Sequence, residues 1–229
     1  MSSIEPDTHL SIVFKHVLSD YLDMNDCFSV LNVSTSAEFD IATLLGVDLR
    51  YGNDYALKYA SDTGNFTIVK YLVENGADIH ANNDYSLRIA SESGYENIVR
   101  YLVEKGANIH ANNDHSLIFA SESGHFPVVK YLVEKGANIH AINDYALRWA
   151  SENDHLPVVQ YLVCNGANIN ALNNESLIRA SKNGNLSIVQ FLIENGADVH
   201  EPNNRAIHFA KLNGHDHVVK YLEDNGGEL

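Results

Sequence analysis

From Asn53 onward the hydrophobic and polar positions recur with a period of thirty residues. In the unit Asn83–Asn112 (NDYSLRIASESGYENIVRYLVEKGANIHAN), Leu87, Ile89 and Ala90 form one apolar group, and Ile98, Val99, Tyr101, Leu102 and Val103 form a second. Their three- and four-residue steps predict two short helices, Tyr85–Ser93 and about Glu96–Lys105. Asp84 is placed to cap the first helix, its carboxylate accepting N–H bonds from the next turn. Gly94 and Gly106 are placed to end the two helices as residues in the left-handed conformation. The first helix should bury Leu87, Ile89 and Ala90. The second has too many apolar residues for one narrow stripe, so it should be buried on more than one side. Ala107–Ala111 reads as an extended return to the next unit.

The unit recurs from Asn53, Asn113, Asn143, Asn173 and, shortened, from Asn203. A fixed period in this range signals stacked repeats, each of which touches mainly its neighbours. Alanine holds one position throughout (Ala60, Ala90, Ala120, Ala150, Ala180, Ala210), which lets helices pack closely across it. Pro127 and Pro157 fall in the first turn of a second helix, where a missing N–H costs little. The expected organisation is a helical N-terminal segment over 1–40 and a partial repeat over 41–52. Full units follow at 53–82, 83–112, 113–142, 143–172 and 173–202, and a C-terminal capping unit at 203–229.

Helix, glycine turn, helix and then Gly-Ala-Asp/Asn-Ile-His/Asn-Ala is a pattern that resembles the ankyrin repeat, over residues 53–229 and back to about 41. The resemblance implies an all-α ankyrin-repeat solenoid of stacked helix-turn-helix units with short inter-repeat turns. Two departures stand out. The run from Ala81 to Leu87 is three residues shorter than the family's, and Thr-Pro-Leu-His becomes Tyr-Ser-Leu-Arg at Tyr85–Arg88. The lost residues belong to the hairpin finger, so contact is expected through the helical face more than the tips. Short, Asn-rich units of this kind are similar to ankyrin arrays encoded by giant DNA viruses.

Ahead of the repeats, Ile12, Val13, Val17, Leu18, Tyr21 and Leu22 follow helical spacing, and Asp23–Asp26 reads as a turn. A second apolar stretch, Cys27–Val33, ends at Ser34. One reading is an N-terminal cap that shields the array's core. The other is a resemblance to the F-box, carried by Tyr21-Leu22-Asp23-Met24-Asn25-Asp26, then Phe28, Val30, Leu31 and Val33-Ser34. It implies that residues 10–39 engage the adaptor of a cullin-type ubiquitin ligase, with the repeats holding a substrate. The family's Leu-Pro start is missing, and its aromatic after Val-Ser is matched only loosely by Phe39.

The formal net charge of −15 changes the picture of partners. It argues against nucleic acid, which is bound by neutralising phosphates with Lys and Arg, and it favours solubility and basic partners. Two cysteines, Cys27 and Cys164, cannot form a disulfide framework, which suits a reducing compartment. No apolar run approaches the ~18 residues of a membrane span, and no signal peptide is evident. A soluble, monomeric, intracellular protein is expected, in the cytoplasm (of the host, if viral).

Candidate chemistry is sparse. His80, His110, His140 and His200 occupy one repeat position, with Asn170 between them. At roughly 10 Å per repeat these side chains are too far apart to share a zinc ion, whose ligand bonds are about 2.0 Å. Hydrogen bonding within each turn is expected instead. His125, His155 and His215 share a position with Asn65, Tyr95 and Asn185, so imidazole chemistry is not required there. No nucleophile–base set, phosphate loop or carboxylate pair emerges, and no catalytic residue, metal or cofactor is expected. Lys70–Glu74, Arg100–Glu104 and Lys130–Glu134 read as ion pairs on a solvated face.

The positions that vary between units are the more informative ones. Asp62, Glu92, Glu122 and Glu152 form an acidic row that flips to Lys182 and then Leu212. Tyr55, Tyr85, His115 and Tyr145 form an aromatic row that gives way to Glu175 and Arg205. The ankyrin resemblance places these first helices on the concave surface. Aromatic residues beside charge are what protein interfaces favour, so these eight residues are the candidate contacts for a protein partner.

Overall fold

The chain divides after Tyr51, and the computed structural model describes residues 55–200 and 204–228 of the second unit, with the side chain of Tyr55 left out. The expected N-terminal segment (1–40), the partial repeat (41–52) and the Tyr55 contact lie outside the described residues. Among those described, every regular element is a helix. The helices come in pairs: α1 (Tyr55–Asp62) with α2 (Phe66–Glu74), α3 (Ala81–Glu92) with α4 (Glu96–Glu104), and α5 (Ala111–Glu122) with α6 (Phe126–Glu134). They continue as α7 (Ala141–Glu152) with α8 (Leu156–Cys164), α9 (Ala171–Asn183) with α10 (Leu186–Glu194), and α11 (Arg205–Leu212) with α12 (Asp216–Asp224).

Each pair closes as the glycine spacing predicts. At the end of α3, Gly94 takes φ 77°. Its N–H donates to the Ser91 carbonyl at 3.3 Å, and the Tyr95 N–H donates to the Ala90 carbonyl at 2.9 Å. These two bonds satisfy carbonyls that the helix end would otherwise orphan. Asp154 stands where the other units place this glycine, and it too is left-handed, at φ 62°.

The core follows the 30-residue period. Leu57, Leu87, Leu117, Leu147 and Leu177 are fully buried, as are Ala90, Ala120, Ala150, Ala180 and Ala210. Ser91, Ser121 and Ser151 are also buried, each hydroxyl donating back to the leucine carbonyl four residues earlier at 2.7 Å. With Ala and Ser between them, neighbouring first helices pack much more closely than neighbouring second helices. The second helices are held apart by Tyr101, Tyr131 and Tyr161, and Phe66 meets the Tyr101 ring edge-on at 5.6 Å. A stack whose first helices lie closer together than its second helices bends toward the first, which puts the first-helix face on the concave side.

Four expectations need correcting. Asp84 does not cap its own helix. An N-cap residue needs extended backbone, whereas Asn82, Asn83 and Asp84 are all left-handed, at φ 53°, 57° and 54°. That single left-handed turn replaces the missing finger residues, and Asn and Asp are the residues that tolerate it best. The buried Asp84 carboxylate instead accepts the Asn108 N–H from the far end of its own unit at 2.8 Å, and it lies 3.0 Å from Nδ1 of His80. Asp114 with Asn138 (2.8 Å) and Asp144 with Asn168 (2.7 Å) repeat the latch, and Asn174 with Asp198 (3.0 Å) makes it with an amide oxygen. The backbone after Ala107 is accordingly a turn and not an extended return.

Ile89 is only half-buried, because it lies on the outward stripe of α3 and not on the stripe carrying Leu87 and Ala90. Arg100 pairs with Glu96 at 2.7 Å and not with Glu104, drawn there by the Tyr131 ring 4.3 Å beneath its guanidinium. Lys70–Glu74 and Lys130–Glu134 form as expected, at 3.9 Å.

Candidate protein-binding face

Residues four and seven positions beyond Tyr85 share its side of α3, since such spacings fall on one helical stripe. The stripe is therefore Tyr85, Ile89 and Glu92, and it recurs as His115, Phe119 and Glu122 on α5 and as Tyr145, Trp149 and Glu152 on α7. Every one of these residues is half-buried or exposed. The fold thus lines up the expected aromatic and acidic rows. Between them it places a third row that the sequence reading passed over: Tyr59, Ile89, Phe119, Trp149, Arg179 and Phe209, all half-buried. The signal was present as large side chains at one repeat position. Within its own unit, Ile89 fits a core position as well as a surface one, and only its chemically varied equivalents distinguish the two.

On the aromatic row the rings are held in place by cations. Lys58 Nζ lies 4.6 Å and the Arg88 guanidinium 5.0 Å from the centre of the Tyr85 ring. Arg148 sits 4.7 Å over Tyr145. It donates from Nε to the Asn143 carbonyl at 3.0 Å and from Nη2 to the Ile142 carbonyl at 2.7 Å, so it also fastens the left-handed turn. Burial lowers the Arg148 pKa, and the nearby Arg179 charge lowers it further. His115 contacts the Asn112 carbonyl through Nδ1 and meets Phe119 edge-on at 5.3 Å. Tyr145 and Trp149 lie 5.6 Å apart.

The acidic row divides into two parts. Asp62 and Glu92 are exposed, Glu122 is half-buried, and no cation among the described residues is ion-paired with any of the three. Burial pushes the Glu122 pKa up, and the neighbouring Glu92 and Glu152 charges push it further. All three close the C-terminal end of a first helix, where the helix dipole adds negative potential. Glu152 differs. Its carboxylate is taken up by Arg179, which also bonds Glu175 at 3.0 Å, and Glu175 in turn meets Arg205 at 3.3 Å. Burial works against the Arg179 charge, but the two glutamates outweigh it and its pKa is raised. This clamp crosses three units and lies 5.0 Å over the Trp149 ring. Glu152 is therefore a member of a closed network, not a free acid on the ridge.

The histidine row is engaged locally. Nδ1 of His80, His110 and His140 faces Asp84, Asp114 and Asp144 at 3.0, 2.9 and 3.0 Å. His155 and His215 reach back one unit to the carbonyls of Glu122 (2.9 Å) and Lys182 (3.0 Å), and Asn185 does the same to Glu152 at 2.9 Å. Among the described residues, no three His, Cys, Asp or Glu side chains are grouped to hold a metal ion. No described helix is long and apolar enough to cross a membrane. Cys164 is a free, exposed thiol.

Comparison with known proteins agrees with this geometry. A three-copy model of ankyrin repeats matches residues 32–113, 57–143 and 89–173, and a many-copy ankyrin model matches 177–223. The solved ankyrin repeat domain of human ASB11 is similar in fold, with a TM-score of 0.68 and 25% identity, covering 76% of this chain and 84% of that one. A search of curated proteins returns no match. Paired helices at a fixed period, left-handed glycines at both helix ends and these matches across most of the sequence lead to one conclusion: the chain belongs to the ankyrin-repeat family.

Proposed function

We propose that the chain is a non-enzymatic interaction module that holds a protein partner on the concave face of its first helices. Ankyrin repeats are a common protein–protein interaction module. The observation that supports this use of the face is the third row: Ile89, Phe119 and Trp149 present half-exposed apolar surface between an aromatic and an acidic row. Large side chains of this kind, ringed by charge, are where interface energy concentrates. The contacts assigned to the partner are Tyr55, Asp62, Tyr85, Glu92, His115, Glu122 and Tyr145, with Ile89 and Phe119 added. Glu152 serves indirectly by anchoring Arg179. Reversing charge at Asp62, Glu92 and Glu122 should weaken capture of a partner from cell extract at least tenfold, about 1.4 kcal/mol, without lowering the urea midpoint. Undiminished capture would leave the row as a solvated helix edge.

A second role rests on Tyr21–Asp26 and Val33-Ser34, which support a ligase-adaptor contact through residues 10–39. Removing residues 1–40 should then abolish co-purification with such an adaptor, and no adaptor binding by the intact chain ends this reading. With two cysteines and a strongly acidic surface, the site of action we favour is the cell interior.

A further inference from the structure

The acidic row and the third row have the same pitch as the array. Adjacent first helices, which bury Ala and Ser, are about 8–10 Å apart, so Asp62, Glu92 and Glu122 recur at that spacing, as do Tyr59, Ile89 and Phe119. Within one helix the acidic row and the third row are three residues apart, a Cβ separation of about 5–6 Å. An α-helix, about 10–12 Å across, reaches beyond these two rows and returns a side chain to one edge at this pitch only every seventh residue. A β-strand advances about 10 Å in three residues but alternates faces every residue, so every third side chain changes side. A polyproline-II segment advances about 9.3 Å in three residues and completes one turn in doing so, returning every third side chain to the same edge. Segments of this shape characteristically dock on aromatic-lined grooves.

We propose that the occupant of this face is a polyproline-II segment of a partner protein with Arg or Lys at every third residue. Its cations meet Asp62, Glu92 and Glu122, and its intervening residues pack on Tyr59, Ile89 and Phe119. The inference rests on the partner-binding reading of the face and adds the occupant's charge, conformation and register. Three features support it. The three carboxylates have no ion-pair partner among the described residues, so cations complement them without displacing others. Glu122 lies between two like charges, whose repulsion a bound cation relieves. The track also has an end, because at Glu152 and Trp149 the Arg179 clamp already fills both rows.

The test is anisotropy of labelled peptides titrated with the full chain at ~0.15 M salt, where exposed charges beyond about 8 Å are screened. The peptides are Arg-Pro-Pro-Arg-Pro-Pro-Arg, a clustered isomer with its three Arg adjacent, and a helical peptide with Arg at every seventh residue. The every-third peptide should bind at least tenfold more tightly than either of the others. The double substitution Glu92→Gln/Glu122→Gln should erase that preference, whereas Glu104→Gln/Glu134→Gln, removing equal charge from the second helices, should leave it. Equal binding of the two Pro-rich isomers, or tighter binding of the helical peptide, overturns the proposal. If none of the peptides binds while capture of a cellular partner still falls with Glu92→Gln/Glu122→Gln, the proposed occupant is wrong and the binding face stands. If capture too is indifferent, both fall.

Discussion

Ile142 and Leu172 occupy the left-handed turn where the two preceding units place Asn82 and Asn112, at φ 52° and 51° against 53° for both asparagines. A left-handed backbone costs an ordinary L-residue roughly 1–2 kcal/mol, and Asn less, while 41% of Ile142 and 50% of Leu172 remain in water. Ile142→Asn and Leu172→Asn should therefore each raise stability by on the order of 1 kcal/mol, read as a higher urea midpoint at unchanged slope. Gly94 shows a different constraint. A Cβ there would lie 2.5 Å from Nδ1 of His125, whereas at Gly136 it meets nothing within 4 Å. Gly94→Ala should destabilise more than Gly136→Ala in the same unfolding assay. The helix-ending role of Gly94 was legible in the sequence; its role in making room for the next unit's imidazole was not, since that contact exists only after stacking. Glu122 gives a pH dependence. Its folded pKa is raised, so the unfolded chain releases that proton first and stability falls as pH rises through the interval between the two values. Glu122→Gln should stabilise the protein at neutral pH, with the advantage vanishing as pH falls below the ordinary carboxylate range.

At the scale of elements, the helices were legible because their ends carry their own chemistry: apolar spacing, a glycine at each C-terminal end, proline in two first turns. The connection between units was not. Three residues missing from a finger leave the backbone path open, and Asp84 before a helix fits an N-cap as well as it fits a latch. What decides is the left-handed run, which a sequence discloses only as a preference for Asn and Asp. The latch should be measurable. Asp114→Ala leaves the Asn138 N–H without its acceptor and should cost about 1–3 kcal/mol in chemical unfolding. Asp114→Asn should cost less, because Asn174 makes the same bond through its amide oxygen.

At the scale of the whole molecule, the period of thirty makes the architecture legible, whereas the candidate face is legible only where one position is compared across units. Glu152 differs from the other acids through its pairing with Arg179, which stands one unit away in the sequence. The net charge of −15 gives opposite salt effects on folding and binding. Raising ionic strength screens self-repulsion and should raise the thermal midpoint, while it weakens a partner held by Asp62, Glu92 and Glu122. Parallel melting and binding titrations check both signs. The latch also has a consequence for biosynthesis. Each buried carboxylate receives its N–H from a residue 24 positions later. On the ribosome, the newest turn therefore carries an unlatched carboxylate until the far end of its own unit emerges. Growth adds the group that completes the turn 24 residues behind it, so chain elongation and folding advance in the same direction, and a stalled nascent array is exposed to proteolysis at its youngest turn.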